Sequence, residues 1–267
     1  MGENEELSVQ GLSFRTDGCR ATIIIDNAAE GNRLTAAAIE ALSRVAAILR
    51  MRDDLHVVLI RGVGSEDFSS GILNPVLRGR MTKEEVVQLV MQAAAAFDAI
   101  EAVPQIVVAG LNGNVRAGGV ELALACDIRF ASNHISASLP EARWGGFPGA
   151  GGPLRLARLV GRPRALELIC TGRDFSAAEM EAIGFVQKIV PESNFDRELS
   201  AFLSSIESNG PLALRGAKEI MKVDEELGFN AARKVALLLR RQLEWSVDVD
   251  EGIRAHQENR VPKFLGN

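Results

Sequence analysis

The 267-residue chain carries 30 lysines and arginines against 35 aspartates and glutamates, a formal charge of −5 at neutral pH. That balance excludes a general nucleic-acid-binding role, which needs clustered basic residues to neutralise phosphates. With 47% hydrophobic and 24% charged residues, the chain reads as globular, long for one domain without requiring two.

Cys19, Cys126 and Cys170 are widely spaced and odd in number, the pattern of free thiols in a reducing compartment. The start, Met-Gly-Glu-Asn-Glu-Glu, is acidic and shows no apolar stretch of a secretory signal. Residues 86–110 are apolar-rich, but Gln88, Gln92, Asp98 and Glu101 interrupt them before a membrane-spanning length is reached. A soluble cytoplasmic protein with no membrane partner is the expectation.

Residues 9–15 and 20–26 flank Thr16-Asp-Gly18 and predict a β-hairpin. Residues 35–51 predict a helix capped by Thr35, with Ile39, Leu42, Val45, Ala46 and Leu49 as its apolar stripe. A short buried strand at 56–61 precedes a polar loop at 66–74. A long helix at 83–102 ends before Pro104.

A strand at 105–109 then feeds a glycine turn and a helix opening at Gly118, followed by short strands at 127–131 and 135–137. Strand, loop and helix alternate at least twice, which predicts an α/β sheet core covered by helices. Beyond Gly149 the pattern is nearly all helical: Ser176-Ala-Ala-Glu179 is a capping box and Gly184 a helix stop. A short strand at 187–190 precedes three or four helices, one begun by Pro211 and one over 229–247. This gives a core over 1–195 and a helical region over 196–267 suited to subunit contacts.

The chemistry concentrates at Gly118-Gly119-Val-Glu121. Free N–H groups at a helix start attract negative charge, and glycines let a substrate oxygen approach them. Glu121 stands among Ala117, Val120, Leu122, Ala123 and Leu124, so a merely solvated first-turn acid is the weaker reading. Glu141 follows Pro140 and precedes the loop Trp144-Gly-Gly-Phe-Pro-Gly-Ala-Gly-Gly152. Alone it is as well explained by a helix start. Paired with Glu121 it can face one cavity as an acid or a base. The segment Asp67-Phe-Ser-Ser-Gly-Ile-Leu73 is either a plain connection or a second source of backbone N–H donors.

These segments resemble the enoyl-CoA hydratase/isomerase (crotonase) superfamily along essentially the whole chain. Asn112–Asp127 is similar to the family's N-G-x-A-x-G-G-G-x-E-L…C-D-I stretch. Leu139-Pro-Glu141 with Gly145…Pro148-Gly-Ala-Gly-Gly152 resembles P-E…G…P-G-x-G-G. Phe68-Ser-Ser-Gly-Ile72, Asp26-Asn27…Asn32-Arg-Leu-Thr35 and Arg260-Val-Pro-Lys-Phe264 match three further segments, all five in order.

The resemblance implies a crotonase-like spiral of ββα units, a homotrimer or dimer of trimers, and an acyl-CoA thioester substrate, with coenzyme A entering as part of the substrate and no separate cofactor. It implies that the N–H groups of Ile72 and Gly118 form an oxyanion hole and that Glu121 and Glu141 are the acid/base pair. Retention of both carboxylates favours hydration of a trans-2-enoyl-CoA. Coenzyme A contacts are implied at Arg33, Ser70, Gly71 and Leu73, and across a subunit boundary at Lys263 and Phe264. No metal is implied.

Some positions depart from the family pattern. Leu73 replaces a frequent aspartate and Ala117 the first of three glycines, a change expected to be tolerable because Gly118 carries the donor. Ala29 stands where many members have a basic residue, and Arg33 is the expected substitute. Arg116 is either a surface residue, the preferred reading, or a phosphate contact. Phe97, Trp144 and Phe147 either line an acyl pocket or pack in the core. The competing activities are a double-bond isomerase using chiefly Glu141, a serine–histidine hydrolase, for which no histidine lies in the motif segments, and a non-catalytic binding subunit.

Overall fold

The computed structural model describes residues 6–266. The chain runs through β1 (Glu6–Val9), β2 (Gly11–Asp17), β3 (Arg20–Asp26), α1 (Ala36–Arg50), β4 (Val57–Gly62), β5 (Asp67–Ser69) and α2 (Pro75–Arg78). It continues through α3 (Lys83–Glu101), β6 (Ile106–Leu111), β7 (Asn114–Arg116), α4 (Gly118–Leu124), β8 (Ile128–Ser132) and β9 (Ser136–Ser138). A short 3₁₀ segment, Pro140–Trp144, leads into α5 (Gly152–Val160), α6 (Arg162–Thr171), β10 (Phe175–Ser176), α7 (Ala177–Ala182) and β11 (Lys188–Val190). Four helices complete it: α8 (Phe195–Glu207), α9 (Pro211–Leu227), α10 (Phe229–Glu244) and α11 (Val247–Gln257).

Among the described residues, one sheet has the order β1-β2-β3-β4-β6-β8-β11 and a smaller one the order β10-β9-β7-β5. From β3 to β11 the large sheet is parallel, and its first three strands are an antiparallel meander. This is the expected α/β architecture with a helical C-terminal region.

The apolar run of β4 is buried on both faces because alternate residues enter different cores. Val58 and Ile60 point into the main core with α1 and α3, while Val57 and Leu59 face Phe195, Leu199 and Leu203 of α8. Phe130 of β8 sits 5.7 Å from Phe195 and 5.5 Å from Phe202, ring centre to ring centre. A fully buried side chain such as Phe130 stabilises the fold by about 1.5–3 kcal/mol. Thus α8 closes the second face of the sheet.

Local signals place most elements as expected. Thr35 accepts a hydrogen bond from the Ala38 N–H, and Thr82–Glu85 and Ser176–Glu179 both close reciprocal capping boxes. Three expectations need correction. The strand expected over 9–15 is broken at Gln10, because Gly11 turns the chain at φ +89° and sends residues 6–9 back along β2. The loop expected over 66–74 contains β5, which pairs with β7 in the small sheet. The helix expected over 229–247 stops at Glu244, since Ser246 caps a new helix by accepting from the Val249 N–H.

Candidate active site

The loops after β4 and β6 leave the carboxyl ends of adjacent parallel strands, where a crevice forms in α/β sheets. They are tied together by side-chain and backbone hydrogen bonds. The buried Asn112 side chain accepts from the Gly62 N–H at 3.0 Å and donates to the Gly62 and Gly64 carbonyls. Asn32 donates to the carbonyls of Val63 and Asp67. The Leu34 N–H donates to the Gly71 carbonyl at 2.8 Å.

Gly71 adopts φ +97°, and a Cβ there would stand 3.0 Å from the Gly118 nitrogen. The next residue, Ile72, faces Gly118 across the gap between the two loops. Among the described residues, neither the Ile72 nor the Gly118 N–H has a protein acceptor. Gly118 begins α4, so its donor also carries the partial positive charge of a helix start.

Glu121, one turn into α4, is 3% exposed. Its Oε1 accepts N–H bonds from Ala150 at 2.7 Å and Gly152 at 2.9 Å. Gly151 between them has φ +100°, which turns the two amides toward one oxygen. Burial pushes the Glu121 carboxyl up to about 7, against the lowering effect of those amides and of Arg155. Glu141 lies in the 3₁₀ segment with Oε2 buried and unpartnered. Burial and the neighbouring Glu121 charge push it up to about 7 as well. Two carboxyls poised near neutrality beside two unpaired N–H donors suit proton transfer at a carbon next to a developing oxyanion.

The family model described as enoyl-CoA hydratase/isomerase matches residues 18–267. The chain belongs to the enoyl-CoA hydratase/isomerase family. It is similar to YngF of Bacillus subtilis, 32% identical over 92% of this chain and 94% of that protein. Human enoyl-CoA hydratase domain-containing protein 2, mitochondrial, is 30% identical over 98% of this chain and 90% of its own length. The crystal structure of an enoyl-CoA hydratase from Bacillus anthracis superposes with a TM-score of 0.92 at 32% identity, covering 97% of this chain and all of that one.

The remaining expected residues of this family member fall in two places. Arg33, Ser70, Gly71 and Leu73 stand together around Ile72. Arg33 is paired with Glu30, whose carbonyl accepts from the Ser70 hydroxyl at 2.9 Å. Leu73 is half-buried against the main core. Lys263 and Phe264 lie elsewhere. The Lys263 N–H donates to Glu251, and the Phe264 ring rests against Gly210 and Gly252. The adjoining Gly266 abuts Pro211 and the Asp53 carbonyl, just before β4 begins. That is the opposite end of the strand from Ile72, so within one protomer these two residues are remote from the site.

Phe97 is fully buried and packs in the core. Trp144 and Phe147 are exposed, by 41% and 74%. Arg116, at the end of the inner strand β7, donates to the Ser136 hydroxyl and lies 3.4 Å from Asp174. An apolar cavity of about 500 Å³, lined by residues such as Val103, Pro104, Leu212 and Leu243, lies at the amino end of the strands and touches neither glutamate.

The sequence reading missed the cradle at Ala150–Gly152 and the arginine behind it. Three glycines within residues 149–152 were its one visible signal, since they permit both a positive φ and a close approach to Glu121.

Proposed function

We propose that the chain is an enoyl-CoA hydratase, adding water to a trans-2-enoyl-CoA to give the 3-hydroxyacyl-CoA. The observation that carries this reading is the pair of buried carboxyls, Glu121 and Glu141, each near pH 7 beside the free N–H groups of Ile72 and Gly118. Those two donors receive the thioester oxygen and stabilise the enolate that forms when water attacks the β-carbon.

Glu121, whose Oε1 accepts two amides, favours the anion and takes the proton from the attacking water. Glu141, whose Oε2 has no donor and feels the Glu121 charge, favours the acid and delivers its proton to the α-carbon. Return of the Glu121 proton to Glu141 resets the pair, so the net change is addition of one water. No cofactor takes part.

Arg33, Ser70, Gly71 and Leu73 would hold coenzyme A, with Lys263 and Phe264 supplied by a neighbouring subunit. A trimer or dimer of trimers is supported by the exposed apolar side chains Leu227, Phe229, Leu237, Leu238, Trp245 and Ile253 on or beside the last three helices.

Loss of the enoyl-thioester absorbance of crotonyl-CoA tests the activity. Glu121→Gln and Glu141→Gln should each lose turnover while still binding the ester. Full hydration by either variant overturns the two-carboxyl mechanism. Conversion of a 3-enoyl to a 2-enoyl ester without water uptake would assign the isomerase branch instead.

A further inference from the structure

Behind the loop that cradles Glu121 lies an arginine that touches no part of the proposed reaction. The Arg155 side chain is 8% exposed and belongs to the first turns of α5. Its Nη1 donates to the Ala150 carbonyl at 3.1 Å. Nε and Nη2 donate to one oxygen of Glu101 at 3.1 and 2.7 Å, and Nη2 reaches Asp98 at 2.5 Å. Both carboxylates stand on the last turns of α3. The guanidinium therefore clips the loop to a long helix that is itself packed in the core.

The loop is built around that guanidinium. Gly151 lies against Nη1, so that any Cβ there would collide with it. Residue 150 is held from both sides: its carbonyl accepts from Arg155 and its N–H donates to Glu121. Those groups lie on the two peptide planes that meet at Ala150, and Gly151 at φ +100° is the swivel between the second of them and the Gly152 N–H. Without the clip, a glycine-rich segment with this freedom would not hold both amides on one carboxylate oxygen.

We infer that Arg155 is a positioning residue for Glu121: by fixing the Ala150 carbonyl it aims the Ala150 and Gly152 amides at Oε1, setting both the direction and the ionisation of the general base. This rests on the reading of Glu121 as that base. The charges around Glu121 are accounted for by Arg155 on α5 and Glu141 in the 3₁₀ segment. Asp98 and Glu101 of α3 face Arg155, and Arg78 of α2 stands against Gly146 on the Glu141 side. Loss of Arg155 removes a cation and two aimed donors, each of which favours ionised Glu121.

Arg155→Gln and Arg155→Lys are compared with the wild type by steady-state kinetics from pH 6 to 9 and by a ¹³C-NMR titration of labelled glutamate carboxyls, with Glu121→Gln identifying the signal. Arg155→Gln should lower kcat at pH 7 on the order of 10²-fold with KM little changed. Activity should recover partly at pH 9, and the Glu121 signal should titrate at higher pH than in the wild type. Arg155→Lys keeps the charge but not the fork and should fall between the two.

Wild-type kcat together with a wild-type titration in the variants overturns the inference, and so does a loss of kcat with an unmoved titration, which marks a structural role only. If Arg155→Gln does not fold, Arg155→Lys decides on the same two readouts. The titration needs no turnover. An absence of hydratase activity in the wild type would overturn the proposed reaction and leave the test of Arg155 standing.

Discussion

Gly118 and Ile72 face each other so closely that a methyl group on the glycine would come within 2.7 Å of the isoleucine side chain and 3.3 Å of its amide nitrogen. A Cβ at 118 would therefore push the Ile72 side chain and amide away, disturbing the spacing of the two donors proposed to receive the thioester oxygen. Gly118→Ala should lower kcat about 10²-fold or more, the usual effect of losing an oxyanion donor. Overpacking should also destabilise the fold by about 1–3 kcal/mol. Crotonyl-CoA kinetics and thermal melting read the two effects separately; unchanged kcat would remove Gly118 from the oxyanion hole.

Ala117 occupies a backbone conformation at φ +48°, ψ −124° that disfavours any side chain. Its N–H is bound to the Ser138 carbonyl at 2.9 Å and the turn must deliver Gly118 to the site, so the surrounding structure imposes the strain. Holding an alanine in that conformation costs about 1–3 kcal/mol. Ala117→Gly relieves that cost and gives back part of it as unfolded-state entropy. The expected net gain is about 1 kcal/mol, seen as a rise of about 2–4 °C in melting temperature. A lower melting temperature for the glycine variant would show the turn to be unstrained.

In the folded chain the Glu121 carboxyl keeps its proton up to about pH 7, against an ordinary value of 4.5. Between those values folding takes up a proton, so stability falls as pH rises, and above 7 the whole penalty is present. The difference corresponds to about 3 kcal/mol. Glu121→Gln has no such proton. Its stability should therefore gain on the wild type by up to about 3 kcal/mol between pH 4.5 and 8, measured by urea unfolding. Glu141 titrates in both proteins and largely cancels. Equal pH dependence for the two proteins would mean that Glu121 is ionised throughout the range.

The glycine pair and its glutamate were readable because a lone carboxylate among apolar residues after two glycines has few structural explanations. The caps at Thr35 and Ser176 were readable for a similar reason: both satisfy their helices with partners three residues away. What stayed hidden depends on contacts distant in sequence. Arg155 sits in Leu-Arg-Leu and looks like an ordinary surface helix residue, yet its partners lie 54 and 57 positions earlier. Lys263 and Phe264 carry the right residue types, but only the docking of the tail beside Asp53 reveals that they sit far from their own Ile72. The strain at Ala117 is likewise invisible in composition, because it exists only once β7 and β9 fix the turn.

If Lys263 and Phe264 contact coenzyme A as proposed, that remoteness makes association part of the site. On or beside the C-terminal helix α10, Leu237, Leu238 and Trp245 are 64%, 65% and 84% exposed. If a neighbouring copy covers this face, it can also bring Lys263 and Phe264 to the coenzyme A of the next subunit. Sedimentation should then give a trimer or a multiple of three. Leu238→Asp with Trp245→Asp should shift it toward monomer and raise KM for the CoA ester, with the isolated fold retained in circular dichroism. Lys263→Ala should raise KM severalfold with the oligomer intact. A wild-type monomer with full activity would separate the tail from substrate binding altogether.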